Sequence, residues 1–560
     1  MRSARRRRTA VAGRRLVPAG LLVAGLVLSR PATAPAQQIL GAWDADERVT
    51  ITDFQHVTAL ARSSDRLFAA TDGGLVVYGD AFERWELPIT REDGYPDSQV
   101  LALAWDARDG SLWLATRDGR LRQFDVTTRR WLDEIRLGGT VTRIVAPSDD
   151  PSVLYVRRGG RWDAVDPFSR QTQSVAASRV RQSISRDFDL RAREELLGDP
   201  AWDAARAFLG RRGSERYEIT DVMPAAGAAG VFWVATYGGF IERFDSFSNQ
   251  SETLDYGVIG IGASAVLATD GAVWFAPAYP TDRYGVSTAD PGLETWKIWV
   301  GYAFGAADRG APDGPVRAWL RTDDGVWAGG DRGLHRYDGS AWHREPTDTR
   351  AAEAPITALA AGPPGLPGVW VGTEHGLFRV RSPGAGADAQ LLSASRVRAL
   401  AAYAGALWVG TDRGLVRFAG RTRPAADSDV ATLPMPESDA GPPGRVGALA
   451  ADGSHLYAGI EGAVWVLDST GTWSRARPLG AATAPVRALA LADGRLWIGT
   501  DEGLIGWDTR SDRLSTYTFA AGDLPTGPRG ERGVTAVSAS SSDEVWAATP
   551  AGAVRLDVDR

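Results

Sequence analysis

The sequence predicts an all-β protein, a β-propeller of about eleven four-stranded blades, and three observations lead to this prediction. The stretch LWVGTDRGLVRF at 407–418 recurs almost unchanged as LWIGTDEGLIGW at 496–507. Related stretches recur at intervals of about 40 residues, and the 560-residue chain contains 64 Gly, 31 Pro and 21 Trp. Many turns and regularly spaced Trp residues are typical of a repeated, closely packed β unit.

Eleven copies of the stretch can be aligned along the chain. Most have a shorter apolar segment before them, such as VRALA at 397–401, and several have an aromatic segment after them, such as TWSRA at 472–476. Four short strands separated by Gly and Asp turns leave no room for a helix, so units at this spacing predict propeller blades. The aligned stretches are 67–80, 112–125, 154–166, 232–245, 273–280, 326–338, 369–380, 407–418, 456–468, 496–507 and 545–557.

The repeated hairpin is interpreted as a structural element. Side chains alternate between the two faces of a strand, so Leu407 and Val409 share one face while Trp408 and Gly410 share the other. Blades stack face to face, and a large Trp beside a Gly offers a bulge and a notch to neighbouring blades. In the Thr-Asp-x-Gly turn at 411–414 we expect the Asp to cap the turn and the Gly to supply a positive φ.

Two rings in series are the favoured arrangement, and a single large ring is the alternative. Eleven blades would make one circle unusually wide, so the sequence predicts a first β-propeller region at 37–300 and a second at 301–560. The last unit lacks an outer strand, and residues 41–54 offer a strand that would close its sheet and hide the exposed edge.

One segment, residues 178–210, does not have the blade pattern. Val180 and Ile184 are spaced as on one face of a helix, and Asp199-Pro200 provides an N-cap and a first helical residue for a second helix. We interpret the segment as a helical insert that plugs or braces the propeller. Docking of a partner, or covering of a channel, is the alternative.

Residues 1–36 are predicted to be a secretory signal peptide. The segment has a basic start, a short apolar run at 16–28 and an Ala-Pro-Ala cleavage site at 34–36. It carries eight Arg and no acidic residue, so the remaining 55 basic and 69 acidic residues give the mature chain a net charge near −14. We therefore predict a periplasmic or secreted protein that has no membrane span after cleavage and does not bind nucleic acid. Because the chain has no Cys, we do not expect a lipoprotein.

The segment DGYPDSQVLALAWDARDGSLWLATRDGRLRQFD at 93–125 resembles the two-component regulator propeller repeat. The shared pattern is a Gly-x-Pro lead, an x-V-x-A-L strand, Asp-x-x-Gly, and a Trp-x-Gly-Thr-x-x-Gly-Leu hairpin. This resemblance implies an extracytoplasmic ligand-sensing propeller, often of two rings, attached to a membrane helix and a histidine kinase. The sequence ends at Arg560 without kinase or output domain, so we expect a binding module and not a signalling protein. Segments that match as closely are 316–338, 355–380, 396–418 and 485–508, and weaker ones are 140–175 and 257–299.

The sequence contains no motif specific for catalysis. None of its five His residues pairs with another at metal-ligand spacing, and it has no nucleophile elbow, phosphate loop or EF-hand pattern. We predict no catalytic residues, no metal and no cofactor. A polysaccharide-active lyase or hydrolase with two carboxylates across the central funnel is an alternative.

Long loops and turns on one face of the propeller are where we expect a ligand to bind, because loops carry specificity on rigid scaffolds. The leading functional hypothesis is an exported bacterial β-propeller that binds an unidentified small molecule, a glycan or an envelope protein. An envelope or secretion-system assembly factor is the second hypothesis. The candidate ligand-binding residues are Asp412, Arg413, Asp501, Glu502, Tyr302 and Phe304.

Overall fold

A computed structural model shows a chain built almost entirely of small antiparallel sheets that follow one another in sequence. This confirms the predicted all-β propeller. In the described part of the chain ten of the eleven aligned stretches supply the second and third strands of one blade, and the stretch 273–280 supplies only the second. The described residues are 47–147, 150, 152–186, 211–212, 215–279, 284–301, 310–347, 354–392, 395–419, 431–434, 441–476 and 484–558.

The first four blades follow an N-terminal strand that belongs to the last sheet of the chain. A 3₁₀ helix, Arg91–Asp93, lies between blades I and II. The elements are β1 (Arg48–Ile51); blade I, β2 (Val57–Arg62), β3 (Arg66–Thr71), β4 (Leu75–Gly79) and β5 (Arg84–Trp85); blade II, β6 (Val100–Asp106), β7 (Ser111–Thr116), β8 (Arg120–Asp125) and β9 (Arg130–Arg136); blade III, β10 (Val141–Val145), β11 (Leu154–Arg158), β12 (Arg161–Val165) and β13 (Thr172–Val175); α1 (Ala177–Arg186); a short pair, β14 (Arg211–Arg212) and β15 (Glu215–Arg216); and blade IV, β16 (Glu218–Pro224), β17 (Val231–Tyr237), β18 (Phe240–Asp245) and β19 (Gln250–Thr253).

Seven further blades complete the chain. They are blade V, β20 (Ile261–Ala268), β21 (Val273–Tyr279), β22 (Gly285–Ala289) and β23 (Trp296–Val300); blade VI, β24 (Val316–Thr322), β25 (Gly325–Gly330), β26 (Gly333–Tyr337) and β27 (Trp342–Arg344); blade VII, β28 (Ile356–Ala361), β29 (Val369–Thr373), β30 (Gly376–Val380) and β31 (Ala387–Leu392); blade VIII, β32 (Val397–Tyr403), β33 (Ala406–Thr411) and β34 (Gly414–Phe418); β35 (Ala431–Pro434); blade IX, β36 (Val446–Ala451), β37 (Leu456–Ile460), β38 (Ala463–Leu467) and β39 (Trp473–Arg475); blade X, β40 (Val486–Ala492), β41 (Arg495–Thr500), β42 (Gly503–Asp508) and β43 (Arg513–Thr518); and blade XI, β44 (Ala536–Ala539), β45 (Glu544–Thr549) and β46 (Gly552–Asp557).

The segment 421–444, between blades VIII and IX, contains a strand. β35 pairs in parallel with β31 and so adds a fifth strand to the sheet of blade VII. The backbone groups at the outer edge of β31 are thereby paired, as sheet edges generally require. The rest of the segment up to residue 440 lies outside the described residues.

The repeated turn is capped by its Thr and not by its Asp. Thr411 Oγ1 donates a hydrogen bond to the Gly414 carbonyl (2.9 Å) and accepts one from the Arg413 amide (3.1 Å). A hydroxyl can donate and accept at once, whereas an ionised carboxylate can only accept, so Thr satisfies both groups of the turn. The expectation that Asp412 caps the turn was therefore wrong, while the positive φ expected for Gly414 is confirmed at 133°.

Each of the central Gly residues in five β-hairpins receives a side chain from the next blade. A Cβ atom placed on Gly410 would lie 2.5 Å from Val446 Cγ1, which belongs to the first strand of the following blade. The predicted notch is confirmed, and the same contact recurs along the chain. The pairs are Gly329 with Ile356, Gly372 with Val397, Gly410 with Val446, Gly459 with Val486, and Gly499 with Val534.

Blades V to XI form a closed series. Their first strands lie side by side in the order β20, β24, β28, β32, β36, β40 and β44, and β44 lies against β20 again. Buried side chains of blades V and XI share one apolar cluster, which includes Val266, Phe275 and Trp546. The first strands of blades IV, I, II and III form a second series in that order.

The division of the chain into regions 37–300 and 301–560 stays a prediction. Blade V precedes residue 300, yet β20 contacts the first strands of blades VI and XI. We therefore propose that the second ring has seven blades and begins near residue 257, before β20.

The N-terminal strand completes the sheet of blade XI. β1 pairs antiparallel with β46, with Arg48 opposite Leu556 and Ile51 opposite Ala553. Ile51 is fully buried, and it belongs to the apolar cluster that blades V and XI share. The first described strand therefore holds the last sheet and the neighbouring blade together.

The helical insert is described only in its first part. Val180 and Ile184 of α1 are buried against Val153 and Tyr155 of blade III, so one face of the helix covers that sheet. The second helix predicted after Asp199-Pro200 falls outside the described residues, as do residues 187–210 as a whole. Its proposed role as a plug or brace stays a prediction.

His335 on β26 should make the protein less stable at mildly acidic pH. Its ring is buried, its Nδ1 lies 2.9 Å from the Gly310 carbonyl oxygen, and its Nε2 lies 3.8 Å from Asp313 Oδ1. The charge of Arg344 also acts on the ring. Burial lowers the pKa of His335 below 6.5, so the unfolded chain takes up a proton as the pH falls through that value while the folded chain does not. Stability contributed by the neutral ring is therefore lost towards low pH.

We expect urea unfolding midpoints, measured at about pH 7.5 and about pH 5.5, to fall more in the wild type than in His335→Asn. The Asn side chain keeps a donor for the Gly310 carbonyl but does not titrate. Equal losses in the two proteins would show that the ring is protonated as easily in the folded chain as in the unfolded one.

Candidate functional site

A cavity of about 590 Å³ lies where the first strands of blades V to XI meet. This volume is within the range usual for small-molecule sites. The lining residues are Ser264, Arg317, Thr357, Arg396, Arg398, Arg445, Gly447, Glu461, Pro485, Val486, Arg487 and Thr535.

Each of the seven blades contributes one residue at the same structural position. In the first strand of blades V to X the pairing register shifts by one residue, which is the mark of a β-bulge. The bulged residue has no partner on the second strand and lines the cavity. The seven equivalent residues are Ser264, Arg317, Thr357, Arg398, Gly447, Arg487 and, just before β44, Thr535.

Hydroxyl side chains at this position connect neighbouring blades. Ser264 Oγ donates a hydrogen bond to the Val316 carbonyl (2.7 Å), and Thr357 Oγ1 donates one to the Val397 carbonyl (2.6 Å). Both acceptors belong to the first strand of the next blade. These hydroxyls are therefore structural, and the arginines are the main polar groups that face the cavity.

Three arginines at the bulge position pair with an Asp in the repeated turn of their own blade. Arg317 donates two hydrogen bonds to Asp331, from Nε to Oδ1 (2.7 Å) and from Nη2 to Oδ2 (3.1 Å). Arg487 and Asp501 form the same fork, with Nη2 2.9 Å from Oδ2, and Arg398 Nε bonds to Asp412. Each pair is 14 residues apart in sequence. The Asp of the repeated turn therefore positions an arginine of the cavity.

Two more arginines extend the charged lining. Arg445 Nε lies 3.8 Å from the Asp412 carboxylate, which is thus shared with Arg398. Arg396 Nη1 lies 3.2 Å from Glu374 Oε1. The hydrogen bond to Asp331 raises the pKa of Arg317, and all five guanidinium groups are charged at neutral pH.

The predicted ligand-binding residues fall into three groups. Asp412 and Asp501 lie at the rim of the cavity because they bond to two of its arginines. Arg413 and Glu502 are exposed neighbours in the same two turns. Tyr302 and Phe304 lie outside the described residues. A ligand-binding role for any of them stays a prediction.

The arginines of the cavity were not among the residues predicted from the sequence. Their signal is the Val-Arg-Ala triplet that begins three of the apolar segments, at 316–318, 397–399 and 486–488. In a regular strand this triplet indicates only alternation of buried and exposed side chains. The bulge, which the triplet does not reveal, brings the arginines to the cavity.

The described lining holds one carboxylate, Glu461. Glycosidases use two, so the described part of this cavity does not supply the pair that the enzyme alternative requires. Within the described ranges, no three His, Asp or Glu residues gather in a way that could hold a metal ion. α1 has ten residues, and none of the helices described is a candidate for a membrane span.

Comparison with known proteins gives structural likeness only. No protein-family model matches the chain, and no curated protein matches it. The extracellular domain assigned to the hybrid two component system BT3049 from B. thetaiotaomicron is 13% identical, with a TM-score of 0.41, over 90% of this chain and 68% of that one. PorZ, a surface component of the type-IX secretion system of Porphyromonas gingivalis, is 12% identical, with a TM-score of 0.33, over 91% of this chain and 87% of PorZ.

A streptogramin B lyase structure is 14% identical, with a TM-score of 0.38, over 54% of this chain and 96% of the lyase. The similar solved structures thus include an extracellular domain assigned to a two component system. At these identities the likeness is one of general fold.

Proposed function

We propose that this chain is an exported β-propeller binding protein that takes a small ligand into the cavity of blades V to XI. The observation that carries the proposal is the convergence of one residue from each of seven blades on a single cavity of about 590 Å³. A concave site with a few convergent polar groups on a rigid scaffold is the usual form of a ligand site. Export follows from the predicted signal peptide at 1–36.

The turn residues predicted from the sequence form the rim in this proposal. Asp412 and Asp501 hold arginines of the lining, while Arg413 and Glu502 stand beside them at the surface. Loops and turns on this face would set specificity, and the first strands would provide the rigid floor. Binding without chemical conversion is the activity that these groups support.

A thermal-shift screen of residues 37–560 against neutral and charged small molecules tests the proposal. A ligand present at a hundred times its Kd adds about 2.7 kcal/mol of stability, which raises the melting temperature measurably. Arg445→Trp, which places a large ring in the cavity, should remove the shift given by a true ligand. Arg475→Trp, on the exposed outer strand of the same blade, is the matched control and should keep it.

A shift that survives in both variants would place the ligand elsewhere and contradict the proposal. A screen without any shift would also contradict it and would favour a protein partner, as the assembly-factor hypothesis requires. Formation of a product from a bound compound would show that the protein is an enzyme, which would contradict binding without conversion.

A further inference from the structure

We propose that the cavity of blades V to XI selects small polyanions, molecules with at least two oxyanion groups, through Arg317, Arg398 and Arg487. This inference rests on the proposed function and names the class of ligand. Planar carboxylates and tetrahedral phosphates both present a pair of oxygens that a guanidinium binds with two hydrogen bonds. The proposal therefore concerns the oxyanion groups that both kinds of ligand carry, and the experiment distinguishes carboxylates from phosphates.

Guanidinium groups are the main charged groups of the cavity lining. Among the described residues that line it are five arginines and one carboxylate, Glu461. The acidic partners of the arginines, such as Asp331 and Asp501, lie in the turns and are not part of the lining. An incoming ligand therefore meets guanidinium groups, and the Asp carboxylates in the turns at the rim keep these groups in position.

The arginines keep donors for a ligand while they bond to Asp. In the forks of Arg317 and Arg487 the Asp takes bonds from Nε and Nη2, so Nη1 with its two N–H groups is not used in either fork. Arg317 and Arg487 can therefore hold an anion without giving up their Asp partners.

Sharing of one carboxylate concentrates the positive charge further. Asp412 is the partner of both Arg398 and Arg445, so two guanidinium groups are balanced by one acid on that side of the cavity. A neutral ligand could replace the hydrogen bonds of the displaced water but would bring no opposite charge to these groups. An anion replaces the hydrogen bonds and adds charge attraction in a partly enclosed site.

The placement of the arginines favours more than one anionic group on the ligand. Arg317, Arg398 and Arg487 belong to blades VI, VIII and X, with small residues at the bulge position of the blades between them. Their guanidinium groups therefore approach the cavity from separate directions. Each guanidinium group can hold an oxyanion group of its own, so this arrangement favours a ligand that carries several.

Citrate and pyrophosphate are the probes, titrated calorimetrically into residues 37–560, with acetate and sorbitol as the monoanion and neutral controls. We expect citrate, pyrophosphate or both to bind, with an affinity that falls as NaCl is added, and neither control to bind measurably. Binding of citrate alone would assign carboxylate ligands, and binding of pyrophosphate alone would assign phosphate ligands.

The variants test whether the arginines are responsible. The double variant Arg398→Gln and Arg487→Gln should weaken binding by about a hundredfold, since each lost charged hydrogen bond is worth a factor of about ten. Glu461→Gln removes the one acid of the described lining and should tighten binding severalfold, so a result exists even where the double variant fails to fold. Arg66→Gln, which breaks a half-exposed pair with Glu86 in blade I, is the matched control and should leave binding unchanged.

Failure of this inference can be told from failure of the proposed function. Neutral compounds that bind and are blocked by Arg445→Trp, with no binding of citrate or pyrophosphate, would overturn the polyanion proposal alone. If no compound, neutral or charged, gave binding that Arg445→Trp removes, both the polyanion proposal and the proposed function would be overturned. Citrate or pyrophosphate binding that is unaffected by the arginine and Glu461 variants would show attachment elsewhere and would also overturn the inference.

Discussion

Gly410→Val is expected to lower the free energy of unfolding by about 3 kcal/mol or more, because overpacking of a filled core has no room to relax. A Cβ at this position would lie 2.5 Å from Val446 Cγ1 and 3.5 Å from Ala399 Cβ, and the two further methyl carbons of valine would enter the same space. The strand cannot move away, since Trp408 on the same face is buried against blade IX. Urea unfolding followed by Trp fluorescence measures the effect.

Gly453→Val is the matched control. No atom lies within 4 Å of a Cβ placed on Gly453, and its φ is not in the left-handed region, so the change should cost less than about 1 kcal/mol. Equal effects of the two substitutions would show that the loss of unfolding free energy comes from replacing any glycine by valine and not from the contact between blades.

A double-mutant cycle identifies the contact itself. Gly410→Ala and Val446→Ala should each destabilise the protein, the first by overpacking and the second by leaving a cavity. Combined, they should be less harmful than the sum of the two, by about 1 kcal/mol or more, because the smaller side chain makes room for the new methyl group. Simple additivity would contradict the contact seen between blades VIII and IX.

The contact at Gly410 also shows why so much of the fold could be predicted. Alternation along a strand places Trp408 and Gly410 on one face, and repetition of the pattern in blade after blade indicates that this face meets a copy of itself. The order of blades could not be predicted. It depends on β20 lying against β44, strands that are far apart in sequence, and the same spacing of units fits one ring or two.

The cavity itself was not predicted, and the sequence indicated only turn residues that prove to contact its arginines. Asp412 and Asp501 were visible as charged turn residues, but their bond to an arginine 14 residues earlier depends on the register of a hairpin and on a bulge. A bulge at the second residue of a strand leaves no mark in a Val-Arg-Ala triplet. Capping by Thr411 was not predicted, because Thr is favoured in strands and a Thr at the end of a strand pattern indicates a strand residue.

Ile51→Asp is the second substitution with a large expected effect. Ile51 has no exposed surface, and its strand closes the sheet of blade XI by pairing with β46. Its side chain belongs to the cluster of Phe275 and Trp546, so aspartate would place a charge among apolar groups of two blades. We expect a loss of about 3 kcal/mol or more in urea unfolding, since a buried and unpaired charge is among the most costly changes known.

Gln173→Asp is the control for a charge on an outer strand. Gln173 lies on β13, the fourth strand of blade III, where its side chain is exposed, so the substitution should cost less than about 1 kcal/mol. Ile51→Ala separates the remaining causes, because it leaves a cavity without a charge and should cost about 2 to 5 kcal/mol. If Ile51→Asp and Gln173→Asp were equally mild, β1 would not be holding blade XI.

A large effect of Ile51→Asp would have a further consequence for how the ring is held. Blade XI has three strands of its own, and its fourth comes from the start of the described chain, so β46 becomes an open edge when β1 is released. Open edges pair with other chains, so the variant should scatter light at urea concentrations where Gln173→Asp stays clear. Unfolding without any increase in scattering would mean that blade XI comes apart together with β1, and that the strand stabilises the blade and does more than cover its edge.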